Sequence, residues 1–232
     1  MDQSELAYIE VDGRRIAYRL RRGKSPTIVF LPGYASDMEG AKALALDAFA
    51  EQRGLAMLRF DYSGTGSSGG TFEDGTVDAW LDEALAAIDQ LTSGPLIVVG
   101  SSMGGWIALH VALRRPDRIS ALVGIAAAPD FTNWGFRDAA TAEQQGIARG
   151  FWESGQRMLL LDGQIGIDGP VRLIHGELDQ DVPVSIPHRT MQSLRSGDIQ
   201  LTILKGGGHR LSEPHEIEAI LRTVASLLEP AA

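Results

Sequence analysis

One serine in the chain stands in a setting typical of a catalytic nucleophile. Ser102 is the central residue of Gly-Ser-Ser-Met-Gly at positions 100–104, which follows the apolar run Leu96–Val99 directly and leads into a helical pattern. At such a strand-to-helix turn the serine backbone is strained, and the residues two before and two after it must be nearly free of side chain. Gly100 and Gly104 meet this requirement. We therefore predict that Ser102 attacks a carbonyl carbon.

Two other interpretations of these serines stay open. Gly66-Ser67-Ser68-Gly69-Gly70 also matches Gly-x-Ser-x-Gly, but no apolar run leads directly into it and no helical pattern follows. We interpret that segment as a flexible loop. For Ser102, the alternative is a glycine-rich turn that serves packing alone.

A serine nucleophile needs a general base, and His209 is the best placed of the five histidines. It follows three glycines in a loop directly after the predicted strand Ile199–Leu204, where a base can reach the carboxyl ends of the strands. A surface-loop histidine is the alternative. The other four histidines lie within predicted helices or at a strand end: His110, His175, His188 and His215.

The carboxylate that orients His209 should follow the preceding predicted strand, Val171–Ile174. Three acidic residues come after that strand, and we favour Asp179, with Asp181 second and Glu177 third. The order along the chain is then Ser, Asp, His. That order is found in α/β-hydrolases and not in chymotrypsin or subtilisin.

The oxyanion that forms during attack on a carbonyl needs two N–H donors. Met103, directly after the nucleophile at the start of a helix, is predicted to supply one. The loop Pro32-Gly33-Tyr34, after the apolar run Thr27–Leu31, is predicted to supply the other from the backbone of Tyr34. A plain Pro-Gly turn is the alternative.

The apolar patterns predict the elements that position these residues. Two alternating runs, Leu6–Val11 and Arg15–Arg21, meet at Asp12-Gly13, which is typical of a β-hairpin. Buried runs then alternate with helical patterns, which predicts one α/β domain over residues 1–232, with a mostly parallel sheet and helices on both faces. The further predicted strands are Thr27–Leu31, Leu55–Phe60, Leu96–Val99, Ala121–Ala126, Val171–Ile174 and Ile199–Leu204. The predicted helices are Gly40–Arg53, Thr76–Leu91, Met103–Arg114, Pro187–Leu194 and Pro214–Leu228.

Residues 129–169 interrupt this alternation and are predicted to form a short lid insertion. They contain five of the chain's Trp and Phe residues, among them Trp134 and Trp152. We predict that these two tryptophans contact the substrate and that the lid forms an acyl pocket. The alternative is that the lid aromatics only pack against the core.

Composition excludes several classes of function. The net charge of −9 argues against a nucleic-acid partner and an anionic membrane surface, and the absence of cysteine excludes a thiol nucleophile. An acidic start over Met1–Glu10, with no apolar region, predicts a cytoplasmic location. The glycine motifs at positions 64–69 and 23–25 resemble nucleotide-binding loops, but neither leads into the helix that such a loop requires. The histidines lack the spacing of a metal site. We expect no metal and no cofactor, and the oligomeric state stays open.

These residues resemble the α/β-hydrolase superfamily over the whole chain. Asp61-Tyr62-Ser63-Gly64-Thr65-Gly66-Ser67-Ser68 resembles its Asp-x-x-Gly-x-Gly-x-Ser loop, and the segment 175–183 resembles its acid-bearing segment. More narrowly, the segments 30–34, 59–64 and 100–106 resemble the mitochondrial acyl-protein thioesterases and acyl-glucuronide esterases of this fold and their bacterial relatives. The resemblance implies Ser102, Asp179 and His209 as the triad, and cleavage of acyl esters or S-acyl thioesters. Without a visible mitochondrial presequence, it favours a bacterial relative.

A serine esterase or thioesterase is thus the favoured function, with an acyl ester or acylated molecule as substrate. Other hydrolytic reactions on the same fold remain alternatives: C–C bond hydrolysis, peptide cleavage or perhydrolysis. A non-catalytic binding module is a third hypothesis. Such a module would be free to lose one of the three triad residues, and all three are present.

Overall fold

The computed structural model describes residues 5–228, so the first four residues of the acidic start that entered the targeting prediction lie outside the description. All eight predicted strands are present and form one sheet. The strands are β1 (Leu6–Val11), β2 (Arg14–Arg21), β3 (Lys24–Leu31), β4 (Leu55–Phe60), β5 (Leu96–Ser101), β6 (Ile119–Ile125), β7 (Val171–Gly176) and β8 (Ile199–Leu204). The helices are α1 (Ala41–Arg53), α2 (Val77–Leu91), α3 (Met103–Arg114), α4 (Phe131–Trp134), α5 (Ala139–Gln144), α6 (Arg149–Arg157), α7 (Ser185–Ser193) and α8 (Pro214–Ser226).

The strand order places the carboxyl ends of β3 and β5 side by side. The order is β1-β2-β4-β3-β5-β6-β7-β8. The six neighbouring strands β4, β3, β5, β6, β7 and β8 are parallel. The chain leaves β3 toward β4 on one side and later returns to β5 on the other, so the sheet has its topological switch point between them. Ligands bind at such points in open α/β sheets. The antiparallel hairpin of β1 and β2 turns at Asp12 and Gly13, whose positive φ angles of 48° and 76° fit a two-residue hairpin turn.

Helices cover both faces of the sheet, as predicted. On one face, α1 and α8 enclose a core with the inward residues of the parallel strands. On the other, α2, α3 and the helices of residues 129–169 form a second and larger core, which holds the fully buried Trp80 and Trp106. The prediction of a mostly parallel α/β sheet is therefore confirmed. Within residues 5–228, no helix has both the length and the apolar character needed to cross a bilayer.

Residues 129–169 contain three short helices, α4 to α6, and are fixed to the body of the protein at their base. The buried carboxylate of Asp130 accepts hydrogen bonds from the backbone N–H groups of Leu160 and Leu161 at 2.7 to 3.0 Å. The carbonyl oxygen of Met158 accepts from Trp106 Nε1 at 3.1 Å and from His110 Nε2 at 2.9 Å. The start and the end of the segment are thus held to each other and to α3.

The burial of His110 predicts that the stability of the protein depends on pH. Burial lowers the pKa of His110 to about 4, because the imidazolium would lose its hydration. Between an unfolded pKa of about 6.5 and this value, the unfolded chain takes up the proton and the folded chain does not. The free energy of unfolding therefore keeps the full contribution of His110 above pH 6.5. It decreases by about 3 kcal/mol as the pH falls toward 4.

His110→Gln keeps a donor for Met158 but does not titrate, so its free energy of unfolding should fall less between pH 7.5 and 4.0. Urea denaturation at both pH values measures the difference. An equal loss of stability in the variant and the unmodified protein would contradict this account.

Candidate active site

Ser102 lies at the turn from β5 to α3 with a strained backbone, at φ 53° and ψ −120°. The two flanking glycines are sterically required. A Cβ at Gly100 would collide with the backbone of Gly104, and a Cβ at Gly104 would collide with the carbonyl oxygen of Leu31. The half-exposed Ser102 side chain therefore stands above the carboxyl edge of the sheet, as the motif predicts.

Three side chains form a continuous hydrogen-bonded chain across this edge. His209 Nε2 is 3.0 Å from Ser102 Oγ, and His209 Nδ1 is 2.9 Å from Asp179 Oδ2. With its proton on Nδ1, the imidazole donates to Asp179, and Nε2 accepts from the serine hydroxyl. The three residues come from the ends of β5, β7 and β8, which are brought together by the parallel order of the strands.

Asp179 is held as an ionised acceptor. Its side chain is fully buried, and Oδ1 accepts from the backbone N–H groups of Asp181 and Val182, each at 2.9 Å. Burial alone would raise the pKa of Asp179, but the hydrogen bonds from His209 and the Val182 backbone outweigh it. The pKa of Asp179 therefore lies below its ordinary value. This carboxylate is fixed and charged where an imidazole needs a partner.

The two other candidate carboxylates have different surroundings. Asp181 is exposed, and its backbone N–H supports Asp179. Glu177 accepts from the backbone of Gly206 at 3.0 Å and so connects the acid-bearing loop to the loop of His209. Lys42 of α1 donates to the carbonyl oxygen of Arg210, which fixes the other side of the histidine loop.

A second histidine lies behind the acid, and the sequence analysis gave it no part in the site. His175 is fully buried, and its Nε2 is 2.9 Å from the Val182 carbonyl oxygen and 3.5 Å from Asp179 Oδ2. Burial lowers the pKa of His175, so the ring is neutral at neutral pH. Its position four residues before Asp179 is the sequence signal that could have placed it here.

The two predicted oxyanion donors belong to segments that adjoin the nucleophile. Gly33 in the loop after β3 is so close to Ser102 that a Cβ there would lie 3.3 Å from the serine Cβ. Tyr34 follows in that loop, and Met103 is the first residue of α3. Within residues 5–228, neither backbone N–H has a hydrogen-bond acceptor. Both are therefore available to a substrate oxygen.

A cavity of about 460 Å³ opens onto Ser102 and His209, a size usual for small-molecule sites. Trp134 lies in its wall, so the substrate contact predicted for it stays a prediction that the geometry allows. Trp152 does not lie there, and it packs against the larger core instead, so the substrate contact predicted for Trp152 has no support in the geometry. Further residues of the predicted lid also line the cavity: Phe131, Gly135, Phe136, Gln145 and Ile147. The sequence analysis predicted no substrate contact for four other wall residues: Ala128, Gln180, Asp181 and Val182.

The second Gly-x-Ser-x-Gly segment has a structural role. Ser68 Oγ donates to the Asp61 carbonyl oxygen at 2.7 Å and accepts from the Ala17 backbone at 2.8 Å. The Asp61 carboxylate accepts from the backbones of Met38 and Ser67. Hydrogen bonds therefore fix this loop, whereas the sequence analysis predicted a flexible one. It connects the segment after β3 to the end of β4.

Donor atoms of Asp179, Asp181 and His209 lie within 4.8 Å of one another. Two of these residues are already hydrogen-bonded to each other, and both Asp179 oxygens have donors. The arrangement therefore suits an imidazole base that is oriented by a carboxylate better than coordination of a cation.

Comparison with known proteins identifies the class of protein that this fold and site define. The family described as alpha/beta hydrolase fold matches residues 26–144. The chain is also 35% identical over 234 residues to human mitochondrial palmitoyl-protein thioesterase ABHD10, across 92% of this chain and 76% of that protein. The chain belongs to the α/β-hydrolase family.

Two solved structures are particularly similar. The mouse alpha/beta hydrolase domain-containing protein 10 matches with a TM-score of 0.90 and 32% identity, over 97% of this chain and 98% of that one. A protein from Agrobacterium vitis S4, described as a hydrolase, matches with a TM-score of 0.90 and 36% identity, over 97% and 99%. These similarities confirm the predicted family and fold, and they bear out the predicted enzyme class, a serine hydrolase of esters or thioesters.

Proposed function

We propose that the chain hydrolyses carboxylic esters or S-acyl thioesters through an acyl-enzyme on Ser102, with His209 as base and Asp179 as its orienting partner. The observation that carries this proposal is the position of the His209 ring, 3.0 Å from Ser102 Oγ and 2.9 Å from Asp179 Oδ2. A nucleophile, a base and an orienting acid in this order are the parts that acyl transfer requires.

In the acylation step, Ser102 Oγ attacks the carbonyl carbon while its proton moves to His209 Nε2. The tetrahedral oxyanion accepts from the backbone N–H groups of Tyr34 and Met103. Asp179 stabilises the imidazolium through Nδ1–H. When the intermediate collapses, His209 gives its proton to the leaving oxygen or sulfur, and the acyl group stays on Ser102.

Deacylation repeats these steps with water as the nucleophile. His209 takes a proton from the water, whose oxygen attacks the acyl carbon, and the same two donors hold the second oxyanion. The proton then returns to Ser102 Oγ, and the carboxylic acid leaves. No other co-reactant is needed.

The cavity wall favours an apolar acyl chain of medium length. Phe131, Trp134, Phe136 and Ile147 from residues 129–169 supply apolar surface beside Ser102. The relatives named palmitoyl-protein thioesterases support an acyl thioester as one natural substrate class. The cytoplasmic location stays a proposal, and the relatives of this name are mitochondrial proteins.

A series of p-nitrophenyl esters from acetyl to decanoyl, with S-acyl peptides beside them, tests this proposal. Each buried CH₂ contributes about 0.8 kcal/mol, so kcat/KM should rise about 3–4-fold per added carbon until the pocket ends. Trp134→Ala should change the ranking of acyl lengths, because this side chain lies in the wall.

Trp152→Ala is the matched control, since it removes the same side chain from the same segment outside the cavity. It should lower the melting temperature and reduce the rates on all esters by one common factor. A flat profile from acetyl to decanoyl in the unmodified enzyme would count against a defined acyl pocket. An equal change of ranking in both variants would remove the distinction between the two tryptophans.

A further inference from the structure

The wall of the active-site cavity carries one charge of fixed sign. Among the described residues that line it, Asp181 is the only Asp, Glu, Lys or Arg. The other polar side chains of the wall belong to Tyr34, Ser102, Trp134, Gln145, Gln180 and His209. The ionised Asp179 is buried behind His209, so Asp181 is the one carboxylate in the described wall itself.

The carboxylate of Asp181 has no partner within the part of the chain that the structure describes. Its backbone N–H donates to Asp179, but no side-chain hydrogen bond or ion pair is formed by its own oxygens. Among the other exposed aspartates, Asp162 and Asp168 are paired with arginines, whereas Asp117 has no such partner in the described chain either. What distinguishes Asp181 is its place in the wall of the active-site cavity. The Asp181 charge is thus left for whatever enters the cavity.

Asp181 also lies close to the proposed general base. One of its carboxylate oxygens lies within 4.8 Å of a ring nitrogen of His209. In the proposed mechanism His209 protonates the leaving atom, so that atom must pass beside the imidazole. At such distances two charges still interact appreciably near a protein surface.

We propose that Asp181 makes the enzyme selective for acyl thioesters or esters whose leaving group carries a cationic nitrogen, and that it disfavours anionic leaving groups. This inference rests on the proposed function and assigns its leaving-group class. A carboxylate beside the departing group attracts a cation and repels an anion in the ground state and the transition state alike. Asp181 acts on binding and selectivity and takes no part in proton transfer.

Three thioesters with one common acyl chain test the charge preference. Their leaving groups are thiocholine, its uncharged isostere 3,3-dimethylbutanethiol, and 2-mercaptoethanesulfonate. The released thiol is measured with a disulfide dye, and the chain has no cysteine to interfere. In the Asp181→Asn variant, the ratio of kcat/KM for the cationic over the anionic thioester should fall by roughly 25-fold at low salt, as two opposite interactions of about fivefold each are lost. Because the two proteins are compared on the same substrates, the different reactivities of the thiols cancel.

Asp117→Asn is the matched control. It removes the same charge from an exposed aspartate that lines a separate cleft with Pro116, Ile119 and Gly169. Its cation-to-anion ratio should stay within twofold of the unmodified value. The preference of the unmodified enzyme should also weaken at 0.5 M salt, because ions screen exposed charges.

Binding of the intact thioesters to Ser102→Ala, measured by calorimetry, separates this inference from the proposed chemistry. The cationic thioester should bind more tightly than the anionic one, and adding Asp181→Asn should abolish the difference. If Asp181→Asn changes neither the rate ratio nor the binding difference, the inference is wrong even though hydrolysis by Ser102 stands. If Ser102→Ala keeps full activity, the proposed function fails, and the rate ratio of the unmodified and Asp181→Asn proteins still decides the role of Asp181.

Discussion

Replacing Ser102 by alanine is expected to lower kcat for ester hydrolysis by at least about 10⁴-fold, with little change in stability. Among residues 5–228, the Ser102 hydroxyl is the one nucleophilic group that is hydrogen-bonded to His209 Nε2, at 3.0 Å. Without it, only the oxyanion donors and the binding of the substrate remain, and these give a small residual rate. Steady-state rates on one p-nitrophenyl ester, with a melting curve of each protein, measure the effect.

Ser68→Ala is the control for the Ser102 substitution, because Ser68 also stands in a Gly-x-Ser-x-Gly segment. Its hydroxyl is engaged between the Asp61 carbonyl oxygen and the Ala17 backbone. This variant should lose stability and keep its kcat. A loss of activity in Ser68→Ala with an active Ser102→Ala would transfer the nucleophile to the other loop.

Replacing Asp179 by asparagine should lower kcat by up to about 10⁴-fold. An amide at this position can donate to Nδ1 and so favours the tautomer with the proton on Nε2, in which the ring cannot accept from Ser102. The buried backbone donors of Asp181 and Val182 would still find an oxygen acceptor. The fold should therefore persist, and circular dichroism with kcat on a neutral ester measures both properties.

Asp181→Asn provides the comparison for this substitution. Asp181 is exposed and bonds to Asp179 through its backbone, which the substitution leaves in place. On a neutral ester, the loss of kcat from Asp179→Asn should exceed the loss from Asp181→Asn by at least about 100-fold. The opposite order would make Asp181 the orienting acid.

The sequence was sufficient to predict those features whose residue pattern follows directly from their burial or from a close backbone contact. The central strands are continuous apolar runs and the outer strands show mixed or alternating burial, so all eight were predicted with nearly their observed bounds. Gly100 and Gly104 mark the crowded turn around Ser102, since few other contacts require glycine at that spacing. His209 could be placed because a glycine-rich loop directly follows an edge strand of the sheet.

The sequence was insufficient where contacts between distant segments decide. The helices α4 to α6 are short and are held by contacts such as Asp130 with Leu160, which no local pattern contains. The choice between Trp134 and Trp152 depends on which side of α6 faces the core. The spacing of the buried Phe151 and Gly155 on that helix was a usable signal for it. The isolation of the Asp181 charge depends on the finished cavity, whose described wall contains no Lys or Arg.

The measurement that tests the central claim most directly is covalent labelling of the protein with a fluorophosphonate probe, followed by peptide mapping. Such probes react with an activated serine in a site of this kind. We expect one label per chain, on the peptide that contains Ser102, and no label on the Ser102→Ala protein. A label on Ser68 or Ser101, or labelling that persists in Ser102→Ala, would contradict the assignment of Ser102 as the nucleophile.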